Sequence, residues 1–287
     1  MKLTEKIHLL RLDFEITLSP ERRLPRFVNT IIIFGDRITL IDTGVKGSEE
    51  KIFAYIEQNN RKITDIKTMI LSHSHPDHIG SAAIIKDLTN CEVLAHGGEI
   101  DWIENIKIQN KERPVPGFFN LVDQSVKVDR LLEDKQLINI DKAITAEVIH
   151  SPGHSKGSIN ILFKEDEILF TADSIPLKND IPNYDSYPAL MNSLKGIKKR
   201  DDFSILLTSW TPPLMDDSKI EKIISDGEKY MLEIDNIVKK TYIGEETEPF
   251  MFCKATIEKL GLPPFLATPT VDKAFRSHLK KLIGNST

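Results

Sequence analysis

Residues 71–80 of the chain read LSHSHPDHIG and place three histidines and one aspartate within six residues. The apolar run IKTMIL leads into this cluster and predicts a strand, and GSAAIIKDL, which follows it, has the apolar spacing of a helix. Imidazole nitrogens and carboxylate oxygens are ligands that zinc accepts at catalytic sites. The stretch therefore predicts a metal site at a turn between a strand and a helix.

The spacing of these donors divides them into two pairs. His73 and His75 lie two residues apart, and because side chains alternate along an extended chain, both point the same way and can bind one ion. Pro76 favours an extended conformation for His75 and blocks a helix until after it. Asp77 and His78 are thus left in the following turn, where they can face a second ion.

The flanking segments continue the alternation of strands and helices. Before the cluster, residues 6–18 alternate in polarity as a strand does, residues 29–44 predict a hairpin around a Gly-Asp turn, and residues 48–60 predict a helix. After it, strands are predicted at CEVLAH, AITAEVIHSPGH, INILFKEDEILFTADS and FSILLTSW. Residues 101–129 have mixed polarity and two prolines, so they predict a long excursion rather than core, for which a lid is one interpretation.

Beyond about residue 214 the pattern is helical. SKIEKIISDGEKYMLEIDNIVKKTY carries apolar residues at helical intervals. A last helix is predicted over residues 269–283, with Thr268 as its cap, Pro269 in its first position and Gly284 at its end. We therefore predict a main domain over residues 1–215 and a helical C-terminal extension over residues 216–287.

The composition of the 287 residues is that of an ordinary globular protein, with 40% hydrophobic and 28% charged residues. A formal net charge of −5 argues against a nucleic-acid surface, which needs a basic excess on one face. Cys91 and Cys253 lie far apart and predict reduced thiols rather than a disulfide framework. The N-terminus does not resemble a signal peptide, and no apolar run has the length of a membrane span, so a cytoplasmic protein is expected.

Four motifs together resemble those of one family. HSHPDH resembles the His-x-His-x-Asp-His signature of the metallo-β-lactamase superfamily of metallohydrolases. IIIFGDRITLIDTG is similar to its opening hairpin and Asp-Thr-Gly turn, HSPGHSKGSI to its second histidine motif, and LFTADSI to its bridging-aspartate motif. The resemblance covers about residues 25–215. It implies an α/β fold, the four-layer αββα sandwich of the metallo-β-lactamase type, here with a helical C-terminal extension.

The resemblance also implies a set of metal ligands at the matching positions. The first ion would be held by His73, His75 and His154, the second by Asp77 and His78, with Asp173 bridging the two. Asp42 matches the turn aspartate, which is implied to hold ligands in orientation without binding the metal itself. The implied cofactor is zinc, as one or two ions, with iron or manganese as alternatives.

One position departs from the family pattern. The stretch that should supply the last histidine reads ILLTSWTPPL, and Trp210 stands where the histidine would be. An indole N–H is a donor without a lone pair to offer, so Trp210 cannot coordinate an ion. The second site is therefore expected to be weakened, and we predict a mononuclear or asymmetric centre.

The remaining histidines favour structural interpretations. His278 lies in an apolar stripe of the predicted C-terminal helix, which favours packing, although an approach to the metals stays open. His150 occupies a strand-like position before the Ser-Pro-Gly turn, where packing is favoured over ligation. His96 begins a loop, which favours an exposed or rim position, and His8 is interpreted as structural.

The predicted chemistry is hydrolysis of a small ester, thioester or lactone through a metal-bound hydroxide, since a divalent cation lowers the pKa of bound water and polarises a carbonyl oxygen. Asp77 is the candidate catalytic residue, which orients or deprotonates the water or protonates the leaving group. Two alternatives stay open. A mononuclear iron centre would indicate a sulfur oxygenase of the same superfamily, and a pocket filled by Trp210 would indicate a non-catalytic ligand-binding or regulatory protein.

The substrate pocket is the least determined part. Its candidate wall residues are Trp210, Phe118, Phe119 and Tyr184, and for the phenylalanine pair and the tyrosine packing is the ordinary interpretation. Apolar walls suit an acyl or aromatic substrate. We expect a small-molecule substrate and neither a nucleic-acid nor a membrane partner, and an apolar stripe on the C-terminal helices also suits a homodimer interface.

Overall fold

The structure is a computed structural model and describes residues 1–19, 22–244, 248 and 250–279. The chain forms two compact units. The first contains residues 1–150, 157–172 and 202–213, and the second contains residues 151–156, 173–201 and 214–287. Segments of both units alternate along the middle of the chain, and the predicted domain boundary at residue 215 stays a prediction.

The first sheet of the first unit contains six strands in chain order. They are β1 (Ile7–Ser19), β2 (Arg22–Phe34), β3 (Ile38–Ile41), β4 (Ile66–Leu71), β5 (Glu92–His96) and β6 (Arg130–Leu132). The strands from β1 to β3 pair antiparallel, and those from β3 to β6 pair parallel. The predicted hairpin is confirmed, because Phe34 and Ile38 pair across its turn.

The second sheet, also in the first unit, contains five strands. They are β7 (Leu137–Asp141), β8 (Ile144–His150), β9 (Ile159–Phe163), β10 (Ile168–Phe170) and β11 (Ile205–Leu207), and they lie in this order. All neighbours pair antiparallel except β10 and β11, which pair parallel.

The helices of the first unit are short. They are α1 (Glu49–Gln58), α2 (Pro76–Ile79), α3 (Ala82–Thr89), α4 (Ile100–Ile103), α5 (Ile106–Glu112) and α6 (Phe118–Leu121). The last three occupy the segment predicted to be an excursion rather than core. That prediction is wrong, because Ile103, Phe118 and Val126 are buried in a core of this unit.

Two hydrophobic cores hold the layers of the first unit together. Ile31 and Ile33 of β2 pack with Phe163 and Phe170 of the second sheet, while Ile32, between them, packs with the apolar face of α1. Strand β2 is therefore buried on both faces, which explains its unbroken isoleucine run.

The regular elements among the described residues of the second unit are helices. Its helices are α7 (Tyr187–Lys198), α8 (Asp217–Thr241), α9 (Met251–Lys259) and α10 (Pro269–Arg276). Thr268 caps α10 as predicted, because its hydroxyl accepts a hydrogen bond from the N–H of Val271. The helix ends at Arg276 rather than at residue 283, and the predicted stop at Gly284 lies outside the described residues. No helix in the described ranges is both long and apolar enough to cross a membrane.

Candidate metal centre

The sequence SHSH at residues 72–75 alternates serines with histidines, and both serines bind buried carboxylates. Asp42 accepts hydrogen bonds from the N–H and the hydroxyl of Ser72, each at 2.7 Å. Glu99 accepts a hydrogen bond from the N–H of Ser74 at 3.1 Å and another from its hydroxyl. The backbone that carries the first two histidines is therefore fixed by a carboxylate on either side.

The three imidazoles of the cluster lie close together. The ring centroid of His73 is 4.4 Å from that of His75 and 4.1 Å from that of His78. Asp77 is the most exposed of the four donors, and its Oδ2 lies 3.9 Å from Nε2 of His78. The structure thus brings together both predicted donor pairs of this motif.

Hydrogen bonds to Asp42 assign the protonated nitrogen of two of these rings. Nδ1 of His78 lies 2.8 Å from Oδ2 of Asp42, and since a carboxylate only accepts, this Nδ1 carries the proton. The hydroxyl of Ser72 donates to Asp42, so it accepts from Nδ1 of His73 at 3.0 Å. In the neutral form of each ring, Nε2 then carries the lone pair that can bind a metal.

The Asp-Thr-Gly turn that carries Asp42 is joined by hydrogen bonds to the histidine turn, which is formed by residues 72–80. The N–H and hydroxyl of Thr43 donate to the carbonyl of His78 at 2.8 and 2.9 Å, and the N–H of Gly80 donates to the carbonyl of Gly44 at 2.8 Å. Gly44 has a φ of +70°, and a Cβ there would lie 2.5 Å from the hydroxyl of Ser48, so only glycine fits.

Two polar residues that support this turn were missed by sequence reasoning. Glu99 is buried and accepts a third hydrogen bond from the N–H of Gly157, and the amide of Gln109 donates to the carbonyl of Ser74. Neither residue stands in a recognisable pattern. The available signal was the alternation of serines with histidines, which places hydroxyl groups where buried acceptors can meet them.

The second unit brings together two further predicted ligands. Nε2 of His154 lies 3.3 Å from Oδ2 of Asp173, and both side chains are largely buried. The carbonyl of Gly153 accepts hydrogen bonds from the N–H groups of Asp185 and Ser186 at 2.8 and 3.0 Å. Gly153 itself has a φ of +135°, which L-residues with a side chain rarely adopt.

Side chains that can serve as metal donors therefore occur in both units. His73 and His75 lie in the first unit, and His154 and Asp173 lie in the second.

Trp210 is half-buried at the edge of a core of the first unit. Its ring centroid lies 6.4 Å from that of His78 in an edge-on arrangement, and 6.5 Å from that of Phe27. The guanidinium of Arg26 lies 4.5 Å from the centroid of the Trp210 ring, where the cation is attracted by the ring face. The tryptophan thus neighbours His78, one of the ligands predicted for the second ion.

The other pocket candidates are placed differently from one another. Phe118 is buried, whereas the neighbouring Phe119 is 48% exposed, and the two rings touch edge to face. Tyr184 is buried in the second unit, with its hydroxyl 2.8 Å from Nε2 of His278. His278 packs among side chains of that unit, as favoured by its sequence pattern.

The remaining histidines also pack. His8 is buried against the ring of Phe34 and contacts the hydroxyl of Tyr55 at 3.1 Å, which confirms its structural interpretation. His96 stacks on His150 at 4.1 Å between centroids and 14° between planes. Burial, followed by the charge of His150, lowers the pKa of His96.

Comparison with known families agrees with this architecture. The family model of the metallo-beta-lactamase superfamily matches residues 23–210. The chain belongs to this superfamily. The match ends at Trp210, the position of the departure from the family pattern.

Curated relatives carry names of hydrolases. A probable metallo-hydrolase, MJ0888 of Methanocaldococcus jannaschii, is 28% identical over 153 residues, which are 51% of this chain and 66%, just under two thirds, of the relative. A probable metallo-hydrolase, YybB of Bacillus subtilis, is 26% identical over 78% of this chain and 92% of its own length. Hydroxyacylglutathione hydrolase GloC of Haemophilus influenzae is 25% identical over 62% of this chain and 83% of its own length.

Solved structures confirm the predicted fold. The metallo-beta-lactamase family protein TTHA1429 of Thermus thermophilus superposes with a TM-score of 0.75, covering 98% of this chain and 95% of its own, at 16% identity. A beta-lactamase domain protein of Burkholderia ambifaria gives a TM-score of 0.72 over 99% and 87% of the two chains, at 15% identity. These TM-scores establish the αββα sandwich with its helical C-terminal extension. Because the identities are low, they do not indicate a substrate.

Proposed function

We propose that the protein is a metal-dependent hydrolase that acts on a small ester, thioester or lactone. The observation that carries the proposal is the arrangement of His73 and His78, whose Nδ1 atoms face buried oxygens while Nε2 keeps its lone pair. Histidine ligands of metals are held in this way by partners outside the coordination sphere. The donors, imidazole and carboxylate, fit zinc, which is the ion we propose.

Membership of the superfamily supports a division of these donors between two ions. We propose that the first ion is held by His73, His75 and His154, that Asp173 bridges, and that Asp77 and His78 remain for the second. Trp210 cannot donate a lone pair and stands beside His78. We therefore infer an asymmetric centre with one tight ion and a second site that is weak or unused.

The chain's own residues supply proton transfer and orientation. A bound cation would supply Lewis acidity, polarising the scissile carbonyl and making water more acidic. We assign proton transfer to Asp77, because its side chain is 19% exposed and lies beside the ring of His78. Its carboxylate can take a proton from the attacking water and return it to the departing alkoxide or thiolate.

The substrate class rests on the relatives and on chemistry. GloC and other relatives are named hydroxyacylglutathione hydrolases, and an acylglutathione is a thioester. Esters and lactones present the same carbonyl with an oxygen leaving group. We therefore propose an acyl compound of one of these three kinds.

The test begins with metal content. Protein purified without a chelator or a metal-binding tag is analysed for metals and then assayed against a panel of esters, thioesters and lactones. We expect about one zinc per chain and hydrolysis of at least one class. His75→Asn should lose both, whereas Asp77→Asn should keep the tight ion and lose about 100-fold or more in kcat/KM. His8→Asn is the matched control, since His8 is also buried in this unit but contacts Tyr55, and it should change neither.

Other results would redirect the assignment. Iron in place of zinc, with oxygen consumed in the presence of a persulfide, would replace hydrolysis by sulfur oxygenation. A protein that refuses added metal would contradict the proposal and favour a non-catalytic ligand-binding role. Full activity of Asp77→Asn would remove that residue from the mechanism.

A further inference from the structure

A buried polar network in the second unit has no part in the chemistry proposed above. The hydroxyl of Tyr184 lies 2.8 Å from Nε2 of His278, and Nδ1 of His278 lies 3.0 Å from Oδ1 of Asp235. The ring of Tyr187 stacks on His278 at 3.9 Å between centroids. The network connects the segment that follows Asp173, helix α8 and the turn after α10.

The protons of this network have one arrangement at neutral pH. The carboxylate of Asp235 accepts, so Nδ1 of His278 donates to it, and Nε2 then accepts from the hydroxyl of Tyr184. Burial lowers the pKa of His278 to about 4, and burial raises the pKa of Tyr184 well above its ordinary value. Both groups are therefore neutral and fully hydrogen-bonded, which makes the network rigid.

The residues next to Tyr184 bind the backbone that carries His154. The N–H of Asp185 lies 2.8 Å from the carbonyl of Gly153 and 3.2 Å from that of His154, and the N–H of Ser186 donates to Gly153 at 3.0 Å. These hydrogen bonds hold the peptide between Gly153 and His154, and Gly153 has a positive φ of +135°. The orientation of His154 therefore depends on where residues 185 and 186 are held.

The same short segment is bound to helix α10 and to the turn that follows it. The N–H of Tyr187 donates to the hydroxyl of Ser277 at 2.9 Å, and the carboxylate of Asp185 pairs with Lys273 at 3.2 Å. Together with the contacts of His278, these bonds attach residues 184–187 to residues 273–278. The segment lies between the second histidine motif and the C-terminal extension within one unit.

We propose that Tyr184 and His278 are positioning residues for the metal donor His154. Through Asp185 and Ser186 they hold the Gly153–His154 peptide so that the imidazole stays beside Asp173. The inference rests on the proposed function, since it requires that His154 binds the ion. On this view the C-terminal extension helps to position a metal donor, because His278 belongs to it.

The alternative is that the network contributes only to folding, and metal affinity separates the two. Tyr184→Phe removes one hydroxyl and leaves the ring. We expect zinc to bind about 10-fold more weakly, the lower end of the effect of removing a group that hydrogen-bonds to a ligand directly, because Tyr184 acts through residues 185 and 186. Tyr230→Phe is the matched control, because Tyr230 is also a buried tyrosine of this unit, and its hydroxyl donates to the carbonyl of Asp180. Its zinc affinity should stay within about 2-fold of the wild type.

A second pair of variants keeps the test decisive if Tyr184→Phe does not fold. His278→Gln retains an oxygen that can accept from Tyr184, whereas His278→Asn retains only the donor towards Asp235. We expect zinc affinity near the wild type for His278→Gln and about 10-fold weaker for His278→Asn. The visible spectrum of the cobalt-substituted proteins should show a changed coordination in His278→Asn alone.

Three results bear on the inference in different ways. Weaker zinc binding in Tyr184→Phe and His278→Asn, with Tyr230→Phe unaffected, supports it. Equal affinities in all variants, even with lower melting temperatures, overturn it and leave the proposed function intact. A wild-type protein that binds no zinc overturns the proposed function, and this inference with it.

Discussion

Glu99 offers the sharpest test of how the histidine turn is held. It is 2% exposed and accepts hydrogen bonds from Ser74, which separates His73 from His75, and from Gly157. The change Glu99→Gln keeps the size of the side chain and replaces one carboxylate oxygen by an NH2 group. It therefore alters hydrogen bonding at this point with little change in packing.

The cost follows from the direction of these hydrogen bonds. One oxygen of Glu99 accepts both bonds from Ser74 and the other accepts the bond from the N–H of Gly157. Whichever way a glutamine amide turns, its NH2 group faces a buried backbone N–H, which then lacks an acceptor. An unsatisfied buried donor costs about 1–3 kcal/mol and the remaining bonds lose their charge, so we expect the free energy of unfolding to fall by roughly 2–4 kcal/mol.

The assay is urea unfolding of metal-free protein, followed by zinc titration of the folded variant. Zinc affinity should fall about 10-fold, because the backbone between His73 and His75 is less well held. Glu112→Gln is the control, because Glu112 is an exposed glutamate of the same unit that accepts a hydrogen bond from the indole N–H of Trp102 at 2.8 Å. An exposed change of this kind should alter stability by about 0.5 kcal/mol or less.

Two results would refute the reasoning. If Glu99→Gln is as stable as Glu112→Gln, the hydrogen bonds to Ser74 and Gly157 are not structural determinants. If it is destabilised but binds zinc with unchanged affinity, the carboxylate supports the fold without positioning the histidines.

Two further predictions concern Trp210 and His278. Trp210→His places a lone-pair donor beside His78, so zinc bound at saturation should rise from about one to about two ions per chain by elemental analysis. Trp102→His is the control. An unchanged zinc content in Trp210→His would mean that Trp210 does not mark the second site. Burial lowers the pKa of His278 from 6.5 to about 4. Between these pH values the unfolded chain binds a proton that the folded chain does not. The free energy of unfolding should therefore fall by up to ~3 kcal/mol as the pH drops from about 6.5 to about 4. In urea unfolding this acid loss should shrink in His278→Gln, and an identical pH profile in the variant would show that another group causes it.

The histidine turn can be predicted from sequence because its determinants are local. Two-residue spacing sets the direction of His73 and His75, and Pro76 keeps His75 extended, with φ −63° and ψ 148°, and begins α2. Which ring nitrogen of His73 and His78 is left to bind the proposed ion cannot be predicted in this way. It depends on Asp42, whose contacts with Ser72 and His78 span about 30 and 36 positions.

Other features cannot be predicted from the sequence because they depend on contacts between distant parts of the chain. Strand β2 begins at Arg22, seven residues before the predicted hairpin, because its first half is held by backbone pairing with β1, which requires no apolar pattern. The sequence pattern of residues 101–129 does not predict core because the buried side chains, such as Ile103 and Phe118, are separated by irregular polar intervals. Glu99 stands in no sequence pattern of its own, since a buried carboxylate is identified by the N–H and hydroxyl groups that surround it, here those of Ser74 and Gly157.

The two donors proposed for the second ion, His78 and Asp77, have different roles beside Trp210. His78 donates to Asp42, and Asp42 also binds the N–H and hydroxyl of Ser72, so His78 is part of the scaffold that holds His73 whether or not a second ion binds. Asp77 is more exposed than any of the three histidines of its motif. Its carboxylate is therefore the better indicator of chemistry, and its substitution separates catalysis from metal binding more cleanly than any change at His78.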